Sequence, residues 1–194
     1  MALFSTAFWA PVSYYHFATR CKMVEFEQYE RYQKQSYRNR CTILSSNGPL
    51  SLVVPVLRPH DCLIRDARID YSKPWQREHW RTIESAYRSS AFFEEFCEEI
   101  YEVYNNEIPF LFDLNIKVWE ITLALLRLSV PWKVTEQFTM PAETEFDYRF
   151  RIHPKVKRSV SEPFLNPYFQ IFSPKFGFVP DLSILDALFN EGHF

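Results

Sequence analysis

Glycine is nearly absent from this chain: Gly48, Gly177 and Gly192 are the three in 194 residues. Loops that cradle phosphate with backbone N–H groups need several glycines to bring the main chain close to the ligand. Walker-type and Rossmann-type nucleotide sites are therefore excluded, and any anion must be held by side chains. The cysteines Cys21, Cys41, Cys62 and Cys97 stand far apart, without the short spacing of a zinc knuckle or a redox pair. They read as reduced, partly buried small hydrophobes. The histidines show no His-Glu-x-x-His spacing, and nothing points to a carboxylate-bound magnesium, so no metal and no cofactor is expected. A bilayer-spanning run is missing too. The apolar stretch Val118 to Leu128 is short and broken by Glu120 and Arg127, while the segment up to Val12 lacks a basic leader and carries Pro11. A cytoplasmic protein without stable membrane insertion is the expectation. The net charge of −2 gives no general pull toward nucleic acid, so the expected partner is a small-molecule substrate, with homo-oligomerisation left open.

Aromatic residues are plentiful: nineteen Phe, eleven Tyr and five Trp make up 18% of the chain. Such large rigid side chains dominate a core and leave some to line a pocket. The length suits one domain over 1–194 better than two. Leu3 to Trp9 reads as a buried strand ending at Pro11, followed by a helical turn over Tyr14 to Thr19. Thr42-Ile43-Leu44 and Leu50 to Val54 flank Asn47-Gly48, a strong hairpin signal, and Pro55 ends the second strand or puts it at an edge. Ile64 to Asp70 is a candidate third strand.

After Pro74 the period becomes helical. Trp75, His79, Ile83 and Tyr87 fall at four-residue steps, giving one aromatic-rich face. Ser90 is a candidate N-cap for a second helix, with Phe92, Phe93, Phe96, Cys97, Ile100 and Val103 inward and Glu94, Glu95, Glu98 and Glu99 on a wet face. A third, apolar helix follows Asp113. Seven of the thirteen prolines fall between Pro131 and Pro180, which predicts a strand at Trp132 to Thr135 and then ordered loops. Asp181 is placed as the cap of a last helix that Gly192 stops. The expected fold class is α/β (or α+β): a single domain whose hairpin-containing sheet is packed by three to four helices.

Several segments together carry a resemblance. They are Ser5-Thr6-Ala7-Phe8 with Ala10 to Tyr15, Glu27-Gln28, Lys34 to Cys41 leading into Asn47-Gly48 and Leu52 to Val56, Trp75 with His79-Trp80, Ala86-Tyr87, Phe92-Phe93, Pro167 to Gln170, and Asp181 to Gly192. In this order and spacing the chain resembles the WbqC-like family from about Phe4 to Gly192. The short middle section, with Asp147-Tyr148-Arg149 before Ile152 to Lys155, is similar to the compact branch of Bacteroidetes-type bacteria. Ser13 stands where a Gln is usual, and Tyr29 where a His is expected. Family members are encoded among genes for O-antigen and related surface glycans. The resemblance thus implies a cytoplasmic step on a nucleotide-activated sugar, such as acyl or aminoacyl transfer to an amino sugar. A non-catalytic scaffold of the same pathway is the alternative.

Two guanidinium groups on one strand face, Arg38 and Arg40, are suited to clamping a diphosphate or carboxylate, with Tyr37 and Asn39 opposite. A charged edge strand gives the same pattern. The substrate-binding candidates are Lys34, Gln35, Tyr37, Arg38, Asn39, Arg40, Tyr87 and Tyr14. His79 is the candidate general base, although a histidine on an apolar face also serves as a hydrogen-bonded core residue. Arg149, Arg151, His153, Lys155, Lys157 and Arg158 form a second positive stretch, read as an exposed loop or as a lid over a sugar-nucleotide phosphate. Tyr168, Gln170 and Asn190 read as structural ties between loops and core.

Overall fold

The structure is a computed structural model that describes residues 1–57, 62–140, 146–156, 162 and 165–194. In chain order its elements are β1 (Ala2–Phe4), α1 (Val12–Ala18), β2 (Val24–Phe26), β3 (Arg40–Ser45), β4 (Gly48–Val53), α2 (Trp75–Tyr87), α3 (Phe93–Asn105), α4 (Leu111–Leu125), β5 (Trp132–Val134), α5 (Ser173–Phe176) and α6 (Ile184–Glu191). Strands β1, β2 and β5 form a parallel sheet in the order β1-β2-β5. Parallel neighbours cannot be joined by a tight turn, and α1 supplies the crossover from β1 to β2. Outside β1, residues 146–148 add a further parallel strip: Leu3 donates its N–H to Phe146, and Tyr148 donates to the Leu3 carbonyl, at 2.9 and 2.8 Å.

The hairpin β3–β4 forms an antiparallel sheet of its own, with Arg40 opposite Val53 and Ser45 opposite Gly48. Gly48 sits at φ +106°, a conformation open to glycine, and the turn falls where the Asn-Gly signal predicts. Ile43, Leu44 and Leu52 are buried, and β3 packs on α2 and α6. One hydrophobic core runs through these elements, with Tyr15 stacked on Trp119 at 5.6 Å and Phe26 edge-on to the same ring at 5.3 Å. The chain is thus a single α/β domain with a hairpin and packing helices.

Several expected boundaries move, each for a local reason. Strand β1 stops at Phe4, because Ser5 and Thr6 turn inward to hydrogen-bonding partners and Trp9 adopts φ 41°. Continuous burial through Trp9 marks core rather than strand. β2 has too few residues to show a periodicity and escapes the pattern. Ile64–Asp66 is a 3-10 turn followed by isolated bridges Arg68–Phe110 and Ile69–Val56, not a strand. Pro74 is the cap of α2 itself, Phe92 rather than Ser90 caps α3, and Phe110 caps α4. Ser183 caps α6 by accepting from the Leu185 N–H, whereas Asp181 turns back to accept from the Ser13 N–H and hydroxyl. All four cysteines are free thiols, and among the described residues no helix is long and apolar enough to cross a membrane.

Gly192 ends α6 in the left-handed conformation at φ +75°, and a Cβ there would lie 2.9 Å from the Phe92 ring. Gly192→Ala is expected to cost at least about 1–2 kcal/mol from the backbone alone. Thermal denaturation should show the midpoint lowered by several degrees.

Candidate functional site

The polar residues that directly follow the parallel strands converge. Ser5 and Thr6 follow β1, Glu27 follows β2, Thr135 follows β5, and Arg149 follows the 146–148 strip. All five are buried, Glu27 at 0% and Arg149 at 2% exposure. The carboxyl ends of parallel strands are where side chains leave the hydrogen-bond ladder, and open α/β sheets place ligands there.

Two carboxylates organise this end of the sheet. Glu27 accepts from the Tyr29 N–H (2.9 Å), the Thr135 hydroxyl (2.9 Å) and the Thr139 N–H (2.8 Å), with Arg149 Nη1 at 3.5 Å. Arg149 also forks onto Asp147, with Nη2 donating to Oδ2 at 2.7 Å. One turn further on, Glu30 takes both prongs of Arg38, Nε at 2.8 Å and Nη2 closer still. Ser5 Oγ accepts from Arg38 Nη2 and donates to Glu30, at 2.7 and 3.1 Å. The Tyr14 hydroxyl donates to the Ser5 carbonyl at 2.7 Å. Burial, then the neighbouring Tyr15 and Glu30, hold the Tyr14 pKa well above its usual value, against the smaller opposing pull of Arg38, so it stays a donor. Asn115 on α4 closes the knot by donating to the Arg38 carbonyl and the Thr6 hydroxyl.

Beside these pairs opens a cleft of about 360 Å3, whose walls include Tyr29, Glu30, Gln33, Phe138, Arg149 and Phe150. A smaller cavity of about 10 Å3 lies between Ser5, Tyr14, Tyr37, Arg38, Tyr148 and Arg149. It has room for one water-sized group. Arg149 belongs to both walls. Among the described residues no group of three or more His, Cys, Asp or Glu is placed to hold a metal.

The residues singled out from sequence divide between this site and other places. Tyr14, Tyr37 and Arg38 come together at the small cavity. Arg38 sits in the turn before β3, at 2% exposure and fully paired with Glu30. It does not share a strand face with Arg40, and the expected two-arginine clamp is corrected on that point. Arg40, half-buried, keeps an Nε without a hydrogen-bond partner. Lys34 and Gln35 are exposed on the preceding turn, where Gln35 adopts φ 57°. Asn39 is buried and donates to the Val54 carbonyl.

Tyr87 lies away from the cleft. Its hydroxyl donates to Asp186 at 2.9 Å and accepts from the Leu44 N–H, tying α2 to α6 and the hairpin. Tyr168 and Gln170 donate to the same carboxylate, and Asn190 bonds Ser90, so all three are structural ties. His79 packs among the rings of Phe8, Trp75 and Tyr104, and its Nδ1 has no partner. Burial lowers its pKa to about 4, against a weaker opposing hydrogen bond with the Val53 backbone.

In the second positive stretch Arg149 is a buried anchor rather than a solvated charge. His153 is half-buried, and its pKa is lowered first by burial and then by Arg38, Lys155 and Arg40. Lys157 and Arg158 lie outside the described residues. The residues that sequence reasoning passed over as site components are Ser5, Glu27, Glu30 and Thr135. The available signal was the pair of acids Glu27 and Glu30 closely following Val24-Glu25-Phe26.

A family model described as "WbqC-like protein family" matches residues 8–162. The chain belongs to the WbqC-like family. The matched span holds Glu27, Glu30, Arg38, Thr135 and Arg149, the framework of the cleft. A curated relative, "Uncharacterized protein Rv1507c" of Mycobacterium tuberculosis, is 28% identical over 191 residues, covering 84% of this chain and 80% of its own length. No solved structure matches the chain significantly. Ser13 is spent on Asp181, whereas Tyr29 stands in the cleft wall with Arg65 4.5 Å over its ring.

Removing one half of a buried ion pair strands the other half without compensation. Arg38→Met is therefore expected to cost roughly 3–5 kcal/mol in urea denaturation, and Arg38→Met combined with Glu30→Leu distinctly less.

His79 gives a pH effect of defined sign. Its pKa is about 4 when folded and 6.5 ordinarily, so between these values the unfolded chain binds the extra proton. This contribution to stability is complete above pH 6.5 and is lost as the pH falls toward 4, by up to roughly 3 kcal/mol. Urea midpoints at pH 7.5 and 4.5 should diverge less in His79→Phe than in the parent.

Proposed function

We propose that this WbqC-like protein is an enzyme of bacterial surface-polysaccharide biosynthesis, with the cleft at the carboxyl ends of β1, β2 and β5 as its substrate site. The substrate class is an amino sugar carried on a nucleotide, and the reaction is acyl or aminoacyl transfer. The observation that carries this reading is that Glu27 and Thr135, buried where β2 and β5 end, help hold Arg149, which lines both the cleft and the small cavity beside Ser5. A cleft with aromatic walls and few fixed polar groups fits a small ligand better than a macromolecule. Glu30 and Gln33 supply acceptors and donors for sugar hydroxyls, and Arg149 is held rigidly by Asp147 and Glu27.

In acyl transfer the sugar amine attacks the acyl carbon, the bond from that carbon to its leaving group breaks, and the amine must lose a proton. His153 suits that last role better than His79. It is kept neutral by burial and by Arg38, Lys155 and Arg40, its Nδ1 accepts from the Lys155 N–H, and it follows Ile152 of the small cavity. A pKa near 4 makes His79 the weaker base; neither histidine lines the cleft, and His153 is preferred because its neighbour Ile152 lines the adjoining small cavity. Arg40, half-buried with an unpartnered Nε, is not among the residues that line the cleft.

A second reading, a non-catalytic partner within the same pathway, is favoured by a separate groove of about 530 Å3. Its walls include Val12, Leu165, Tyr168 and the exposed Phe169 and Phe194.

The readings part in a thermal-shift screen against nucleotide-linked amino sugars with and without acyl donors. A ligand at a hundred times its dissociation constant stabilises by about 2.7 kcal/mol, which for a chain of this size is roughly 5–10 °C. The enzyme reading expects such a shift, reduced in Tyr29→Ala and unaffected in Phe169→Asp. No shift with any of these ligands, together with loss of self- or partner association in Phe169→Asp, would favour the second reading.

A further inference from the structure

Phe138 and Phe150 are 46% and 54% exposed, and both line the cleft. Single apolar residues on a surface need no explanation, but these two are not scattered. Their ring centroids lie 5.6 and 5.8 Å from the Arg149 guanidinium carbon, whose position is fixed by Asp147 and Glu27. The cation thus holds one side of each ring in place, while much of each side chain is left to solvent at the cleft mouth. Phenylalanine has no hydroxyl or N–H with which to read a sugar. What it offers is a flat apolar π-face. Arg31 lines the same cleft, and Arg65, 3.7 Å from Asp66, lies over the Tyr29 ring of its wall, so positive charge stands at the cleft that the two phenylalanines line.

We infer that Phe138 and Phe150 form a nucleobase-stacking site at the mouth of the cleft, with the ligand's phosphate directed toward Arg31 and Arg65. The inference rests on the cleft being the substrate site, and it assigns the nucleotide half of the substrate to the mouth and the sugar half to the interior at Glu30 and Gln33. Stacking on an apolar ring tolerates any base, so the site selects nucleotide over sugar rather than one base over another.

The test is isothermal titration of the parent, Phe138→Ala, Phe150→Ala and Phe150→Trp with uridine monophosphate, adenosine monophosphate, inorganic pyrophosphate and glucosamine 1-phosphate. Both substituted positions are exposed, and circular dichroism checks that each variant keeps its fold. Both nucleotides are expected to bind the parent, to lose about tenfold or more in affinity in each Ala variant, and to regain it in Phe150→Trp. Pyrophosphate and glucosamine 1-phosphate should bind all four proteins alike. Nucleotide affinity unchanged by the Ala variants, or no nucleotide binding while glucosamine 1-phosphate still binds, overturns the stacking site and leaves the cleft reading standing. Failure of every probe overturns both.

Discussion

The buried ion pair between Arg38 and Glu30 is the contact on which the rest of this molecule depends. Each charge would be strongly disfavoured in the interior alone, and together they are tolerated because the carboxylate accepts from both prongs of Arg38 and from the Ser5 hydroxyl. The pair fixes more than itself. Through Ser5 it sets the chain leaving β1, through Asn115 it engages α4, and the Arg38 backbone precedes the first residue of the hairpin. The chain after β1, the loop at Glu30 and helix α4 therefore meet at one residue, Arg38.

A second pair, Glu27 with Arg149, performs the same task beside the cleft. The two acids are three residues apart, and each recruits an arginine from a different region, one before the hairpin and one after β5. The parallel sheet supplies the reason they meet. Its strands are three residues long and contribute little ladder energy, so the loops at their carboxyl ends are secured by side-chain hydrogen bonds instead. A site built this way is preorganised, because the groups facing the cleft are held by partners behind them.

Much of the fold could be read from the sequence where a pattern was long enough to repeat. The Asn47-Gly48 hairpin, the Trp75 to Tyr87 stripe, the wet glutamate face of α3 and the Gly192 stop all have local causes, and all stand in the structure. The three-residue strand β2 shows no period. Its place between β1 and β5 is set by contacts across the whole chain, which no local rule reports. The same distinction governs the site. Arg38 drew attention because its charge stood near other charges, yet its partner is an acid in a different segment. Alternation along an assumed strand paired it with Arg40, but the turn over residues 36–39 breaks that alternation. Glu27 and Glu30 drew less attention because surface acids are common, and only burial distinguishes them.

The order of strands in the parallel sheet also sets an order in time. β2 meets β1 through a short crossover, so that pair can close as soon as α1 forms. Its other edge must wait for a strand that lies beyond the hairpin and three helices, and the 146–148 strip comes later still. Closing so long a loop is slow, and in the interval β2 presents an unpaired edge to any neighbouring chain. Thr135 and Arg149 arrive with those late segments, and both are ligands of Glu27. The cleft therefore depends on segments far apart in the chain. Competence to bind thus requires the whole length of chain from Glu27 to Arg149 to be in place.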